Sequence, residues 1–100
     1  MSHLLPERIQ LRRTRGWRKP EGSVVVARPS CWGNPHRVDD ATPEAHQVAV
    51  ERFHADLLGG RLPYTIDDVQ RALGGHDLVC WCAPGLACHA DVLLEVANRE

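Results

Sequence analysis

The stretch that decides the fold is DLVCWC-APGLA-CHADVLLEVANR, residues 77–99. Residues 77–82 are mostly apolar and predict a strand, and residues 83–87 carry a proline and a glycine, which are typical of a turn. From Cys88 onwards the apolar side chains recur at helical spacing, so residues 88–99 predict a helix. Because a strand that leads into a helix is a building unit of α/β sheets, this stretch favours that fold class.

Two further strands are predicted upstream. Residues 8–14 (RIQLRRT) alternate apolar and polar side chains, which is the pattern of a half-exposed strand. Residues 23–27 (SVVVA) form a short β-branched run, which is typical of a strand buried on both faces.

Two helices are predicted between the second and third strands. Thr42 caps the first, which ends at the glycine pair 59–60. Thr65 caps the second in a weak capping box with Asp68, and the glycine pair 74–75 ends it. The apolar positions expected on the first helix are Ala45, Val48, Ala49, Phe53 and Leu57.

The predicted order of elements is β-β-α-α-β-α. Connections that contain helices join parallel strands, so at least part of the sheet is expected to be parallel. We expect residues 1–100 to form a single α/β domain, with a small Rossmann-like sheet and flanking helices.

The composition is that of an ordinary globular protein, with 43% hydrophobic and 25% charged residues. No run approaches the roughly 20 apolar residues of a membrane span, and the N-terminal residues lack the apolar run of a secretory signal. We therefore expect a cytoplasmic protein without membrane contact. Thiols stay reduced there, and clustered cysteines serve metal binding or catalysis more often than disulfides.

The charge is unevenly distributed along the chain. Residues 1–37 hold eight Lys/Arg against two acidic residues, whereas residues 38–100 hold four Arg against eleven acidic residues. This asymmetry indicates either a basic face for phosphates or nucleic acid, or mutual neutralisation of the two halves. The basic run 10–19 around Trp17 is likewise either a phosphate-contacting surface or a charge-protected strand edge.

Three cysteines lie close together in the sequence and are candidate metal ligands: Cys80, Cys82 and Cys88. Zinc takes four nitrogen or sulfur donors. His89 is one candidate for the fourth, although it directly follows Cys88, and Cys31 or His36 from the other loop is the alternative. The alternative is that the cysteines are small core residues, since free cysteine is often buried. The other histidines carry no pattern and are interpreted as surface residues: His3, His46, His54 and His76.

Cys88 and His89 form a candidate catalytic or anion-binding pair at the predicted helix start. The helix dipole and the free N–H groups there favour a thiolate or a phosphate. Adjacent residues on a helix do not face each other, so we expect separate roles around one ligand rather than a direct nucleophile–base dyad. A nucleophilic Cys88 and a helix-capping Asp91 both stay open.

The loop at residues 28–36 (RPSCWGNPH) is a candidate ligand-binding element, because functional groups concentrate on loops held by rigid elements. An arginine binds phosphate, a tryptophan stacks on a base, and a glycine allows close backbone approach. The alternative is a rigid turn whose tryptophan folds into the core. The candidate ligand-binding residues are Arg28, Ser30, Trp32, Gly33, Asn34 and, from the other segment, His89.

Three segments together resemble the DUF4326 family, a domain of unknown function that occurs in bacteria and bacteriophages, notably those of actinobacteria. The segments are RIQLRRTRGWRKP, VVVARPSCWGNP and DLVCWCAPGLACHADVLLEVAN, which cover nearly the whole chain. The resemblance implies a small cytosolic α/β domain and brings no established activity.

We therefore carry three hypotheses, and whether the chain is an enzyme stays open. In the first, the loop 28–36 and the turn 80–89 converge at the carboxyl edge of the sheet and bind a nucleotide or another phosphate-bearing ligand. In the second, the cysteines form a structural zinc module. In the third, the chain is a non-catalytic bacterial or phage factor that binds a host protein. Its three tryptophans, Trp17, Trp32 and Trp81, match the composition of binding hot spots.

Overall fold

The computed structural model describes residues 6–28, 30–36, 42–83 and 85–99. Within them, β1 (Arg8–Gln10), β2 (Val24–Val25) and β3 (Leu78–Cys80) form one sheet in the order β1-β3-β2. Both pairings are parallel, so that Val79 lies opposite Ile9 on one side and Val25 on the other. The mixed α/β class, the order β-β-α-α-β-α and the parallel sheet are confirmed.

The first two strands are shorter than the sequence predicted. β1 ends at Gln10 rather than at residue 14, and the last ladder bond beyond it runs from the Leu11 N–H to the Cys80 carbonyl, at 2.6 Å. Because β3 ends at Cys80, the chain after Leu11 has no strand left to pair with. Val24 and Val25 are only half-buried, since β2 is an edge strand, whereas β3 is buried throughout.

The helices begin where the sequence predicted. In α1 (Pro43–Leu58) the Thr42 hydroxyl accepts from the Ala45 N–H, at 3.2 Å. In α2 (Ile66–Leu73) Thr65 and Asp68 exchange the two hydrogen bonds of a capping box. α3 (His89–Ala97) follows Cys88, which occupies the N-cap position. Within the described ranges, every helix is too short or too polar to span a bilayer.

The core lies between β3 and the helices, and α3 packs against α1, α2, β1 and β3. On α3 the predicted sheet-facing residues are confirmed as buried, because Val92, Leu93, Val96 and Ala97 all lose most of their exposure. On α1, Ala49, Phe53 and Leu57 are buried, but Val48 is 43% exposed.

The loop that follows β2 is tied to α1 by polar contacts. The Asn34 amide donates to the Ala49 carbonyl at 3.1 Å and accepts from the His36 N–H at 2.8 Å. The His36 ring contacts the Asp56 carboxylate, which also accepts from the Arg61 guanidinium at 2.9 Å. The Arg61 and His36 hydrogen bonds lower the pKa of Asp56 below its ordinary value. The loop therefore has a fixed position over α1.

We expect Thr65→Ala to destabilise the fold by about 1 kcal/mol, because it removes the hydroxyl that accepts from the Asp68 N–H. For a domain of this size the unfolding midpoint should fall by roughly 4–8 °C. Thr65→Ser keeps an accepting oxygen and is the matched control. Equal midpoints for the alanine and serine variants would show that the cap contributes nothing.

The Asp56 contacts predict a pH dependence of stability. The pKa of Asp56 is lower in the folded than in the unfolded protein, so its ionised carboxylate stabilises the fold at a pH above the unfolded-state pKa. This stabilisation is lost as the pH falls through the folded-state pKa. We expect Asp56→Asn to lower the unfolding midpoint at about pH 7 and to flatten the loss of stability between about pH 5 and pH 2. Glu51→Gln, which changes an exposed carboxylate of α1, should keep the wild-type pH profile. Superimposable profiles of Asp56→Asn and wild type would contradict this assignment.

Candidate metal centre

The carboxyl ends of β2 and β3 open into one cavity of about 120 Å³. β2 and β3 are parallel neighbours, so the chain leaves both strands at the same edge of the sheet. The loop after β2 contributes Arg28, Asn34 and His36 to the lining, and α1 contributes His46, Ala49 and Val50. The chain after β3 contributes Cys80, Trp81, Cys82, Ala87, Cys88 and His89.

The three clustered cysteines meet at this cavity. Cys80 is the last residue of β3, Cys82 lies two residues further on, and Cys88 is the N-cap of α3. Their sulfur atoms all lie within 4.8 Å of one another, and the Cys80 and Cys88 sulfurs are 3.2 Å apart. Cys80 and Cys88 are buried, whereas Cys82 is half-buried and lies at the accessible side of the cluster.

Arg8 fixes the turn that brings the cysteines together. Its guanidinium donates to the Leu86 carbonyl at 2.9 Å and to the Ala83 carbonyl at 3.1 Å, and it forms an ion pair with Asp91 at 3.2 Å. Asp91 in turn accepts from the Cys88 N–H at 3.3 Å. It therefore caps α3, as the sequence analysis considered for this residue. Arg8, which the sequence placed only in a basic strand, holds the turn closed from β1.

Hydrogen bonds among the three thiols shift the pKa values of Cys80 and Cys82 in opposite directions. Hydrogen bonds from Cys80 and then from Cys88 lower the pKa of Cys82, and the positive charge of Arg8 acts in the same direction. The hydrogen bonds with Cys82 and Cys88, together with burial, raise the pKa of Cys80. The lowered pKa favours negative charge on Cys82, the most accessible of the three cysteines.

Cys88 and His89 are in direct contact, whereas the sequence analysis expected that these neighbours would not face each other. The Cys88 sulfur lies 3.7 Å from His89 Nδ1, and His89 Nε2 is 2.9 Å from the Val26 carbonyl. Since a carbonyl only accepts, Nε2 carries a proton in this contact, and Nδ1 faces the thiol of Cys88. Cys88 is extended, with φ −146° and ψ 145°, so the geometry of neighbours within a helix does not apply to this pair.

The loop residues divide into cavity-lining and structural groups. Arg28 is exposed and lines the cavity, together with Asn34. A Cβ on Gly33 would lie 3.1 Å from the Arg28 Cα and still closer to its side chain, so glycine is required for this close approach. Trp32 packs on Tyr64, with ring centroids 4.6 Å apart, and Ser30 accepts from the Trp32 N–H at 3.3 Å. Ser30, Trp32 and Gly33 lie outside the cavity lining.

His46 is a cavity residue that the sequence interpretation assigned to the surface. Its Nδ1 lies 4.0 Å from the Cys82 sulfur. Helical spacing could have predicted this position, because residue 46 lies on the same helical face as residues 49, 53 and 57, which are apolar and buried. His76 is exposed as expected and bonds to the Gly22 carbonyl, His54 is half-buried, and His3 lies outside the described residues.

The donor set suits a thiophilic cation. Zinc–sulfur bonds of about 2.3 Å in a tetrahedron place sulfur atoms about 3.8 Å apart, close to the spread of this cluster. Among the described residues the close group consists of the three cysteines, and the predicted fourth donors, Cys31 and His36, do not belong to it. His36 contacts Asp56 instead, and Cys31 is exposed.

Neither curated proteins nor solved structures give a match to this chain. One family profile does match, described as a domain of unknown function (DUF4326), and it covers residues 9–99. The match includes the strand, loop and turn that carry the cavity. The chain therefore belongs to the DUF4326 family.

Proposed function

We propose that the protein is a metal-binding α/β domain that holds a zinc ion through Cys80, Cys82 and Cys88 at the carboxyl end of β3. The observation that supports this most directly is the convergence of three sulfur atoms within 4.8 Å. Three thiolates select zinc and similar soft or borderline ions over magnesium or calcium, which prefer oxygen.

The fourth coordination position faces the cavity in this proposal. His89 Nδ1 is the nearest further nitrogen donor, at 3.7 Å from the Cys88 sulfur. His46 is the next, at 4.0 Å from the Cys82 sulfur, although it approaches that cysteine alone. A rotation of its side chain would complete a Cys₃His set of the structural kind, and a small ligand in the cavity would complete an open set. His89 is the alternative fourth ligand, because its Nδ1 faces Cys88 while its Nε2–H donates to the Val26 carbonyl, which is the usual arrangement of metal-bound histidines.

We expect the purified protein to bind about one zinc ion per chain, and Cys82→Ser to lose most of it. Cys82 is the best cysteine to change, because it is half-buried and serine there leaves no void in the core. Metal analysis after desalting gives the stoichiometry, and cobalt substitution reports thiolate ligation through its charge-transfer absorption.

Cys31→Ser is the matched control, since Cys31 is exposed and lies outside the cluster. It should keep the wild-type zinc content. Circular dichroism of both variants separates loss of metal from loss of fold. A folded wild-type protein that retains no zinc, or equal zinc loss in the two serine variants, refutes the metal proposal.

A second candidate function is the binding of a phosphate-bearing ligand in the same cavity, and the convergence of Arg28 and Asn34 with the α3 start supports it. The cavity volume of about 120 Å³ is well below the roughly 300–1,000 Å³ of sites that enclose drug-sized molecules. It has room for a phosphoryl group, so a nucleotide would leave its base outside. In this proposal Arg28 binds the anion, while Trp32, packed on Tyr64, does not contact the base.

We expect inorganic phosphate and AMP to quench tryptophan fluorescence with similar affinities, because only the phosphoryl group enters the cavity. Arg28→Ala should weaken both by about tenfold, the size of one lost hydrogen bond to a charged group. Arg52→Ala, which removes an exposed arginine of α1, is the control. An unresponsive wild type, or equal responses from wild type and Arg28→Ala, argues against this function.

The remaining assignments rest on the sequence and on the family resemblance. In the proposed picture residues 1–100 form one cytoplasmic domain of bacterial or phage origin. A nucleophilic role of Cys88 with His89 as its base is supported by their contact, although Cys88 is only 1% exposed. A host-protein partner finds less support, since Trp17 and Trp32 are both half-buried rather than exposed side by side.

A further inference from the structure

Trp81 is exposed beside the cavity, at a position where a buried indole would be expected. It follows β3 directly, yet 43% of its surface remains accessible. The Arg13 guanidinium carbon lies 4.9 Å from the centre of its ring. An accessible indole with an arginine against it is a combination that stacks on planar, electron-rich groups.

The chain next to Trp81 carries uncompensated positive charge. Residues 8–20 contain six Lys/Arg and no acidic residue. Arg8 is engaged with the turn, and Lys19 donates to the Ser23 carbonyl. Four exposed arginines remain: Arg12, Arg13, Arg15 and Arg18. None of the four takes part in an ion pair within the described ranges, and Arg13 lies over the Trp81 ring.

The sheet topology explains why the indole and Arg13 are neighbours. β1 and β3 are parallel and adjacent, so the chain leaves both at the same edge. The hydrogen bond from the Leu11 N–H to the Cys80 carbonyl carries this alignment to the last residue of β3. Arg12 and Arg13 then follow Leu11 where Trp81 follows Cys80. Backbone pairing therefore places the segment that begins at Arg12 beside Trp81.

We propose that this edge, defined by Trp81 with Arg12, Arg13, Arg15 and Arg18, binds single-stranded nucleic acid. The indole stacks on an unpaired base, and the arginines contact phosphates on either side of it. Stacking requires a base that is free of a duplex, which favours a single strand over double-stranded DNA. This edge uses neither the cysteines nor Arg28, but Trp81 also lines the cavity, so the response of Arg28→Ala distinguishes this proposal from the phosphate proposal.

A fluorescein-labelled oligothymidylate and an oligouridylate, each about 12 nucleotides long, are suitable probes for fluorescence anisotropy. We expect Trp81→Ala to weaken binding at least about fivefold, the lower end of the effect of one lost stacking contact. Trp81→Phe should recover part of the affinity. Quenching of tryptophan emission by the unlabelled probe should disappear in both variants. The two probes also differ by the thymine methyl group, so an oligodeoxyuridylate of the same length shows whether a difference between them comes from the 2′-hydroxyl.

The arginines predict a salt dependence. With three or four phosphate contacts on a single strand, raising the salt from about 50 to about 200 mM should weaken binding about 20- to 50-fold. Arg12→Gln with Arg15→Gln should weaken binding and reduce this dependence. The matched control is Arg71→Gln with Arg99→Gln, which changes the net charge equally on α2 and beyond α3. Wild-type binding in that control supports a local contact.

Three outcomes overturn the proposal. The first is the absence of a measurable anisotropy change at about 50 mM salt. The second is an unchanged affinity of Trp81→Ala in a variant that circular dichroism shows to be folded. The third is equally tight, Trp81-dependent binding of polyglutamate, which identifies an acidic protein segment as the partner. Arg28→Ala should leave oligonucleotide binding intact, and a loss there would move the contact into the cavity.

Discussion

The parallel pairing of β3 on both of its sides is the constraint on which the rest of the structure depends. Because β1 and β2 each run alongside β3 in the same direction, three chain segments leave the sheet at one edge. A reversal of either pairing would send that segment to the opposite edge. The cavity, the thiol cluster and the Trp81 surface all exist because this edge collects side chains from distant parts of the sequence.

The thiol cluster is held by charge and hydrogen bonding as well as by topology. Arg8 binds the carbonyls of the turn, and Asp91 links Arg8 to the N-cap of α3. The same arginine is a counter-charge for the thiolate at Cys82, so one side chain both closes the turn and favours the charged form of the cluster. In the proposed zinc site a divalent cation among three thiolates would leave one net negative charge, which the guanidinium of Arg8 would offset.

Local signals in the sequence were sufficient to predict the order of strands and helices and the two chain segments that line the cavity. Thr42 and Thr65 marked helix starts because capping is a contact between residues three apart. The meeting of the two cavity segments followed from the predicted parallel strands. The contacts that were missed depend on tertiary packing or on one backbone angle. Trp32 packs on Tyr64, and the extended backbone of Cys88 places its thiol next to the His89 ring.

The cysteines and His46 come from elements that are independent in the chain, since His46 lies 36 residues before Cys82. α1 therefore contributes one wall of the cavity without taking part in the backbone that holds the sulfurs. Sequence drift along that helix face can retune the wall, from an imidazole to an amide or a methyl group, while the thiol arrangement persists. Homologues of this chain would then share the cysteine cluster and differ in the ligand that fits into the cavity beside it.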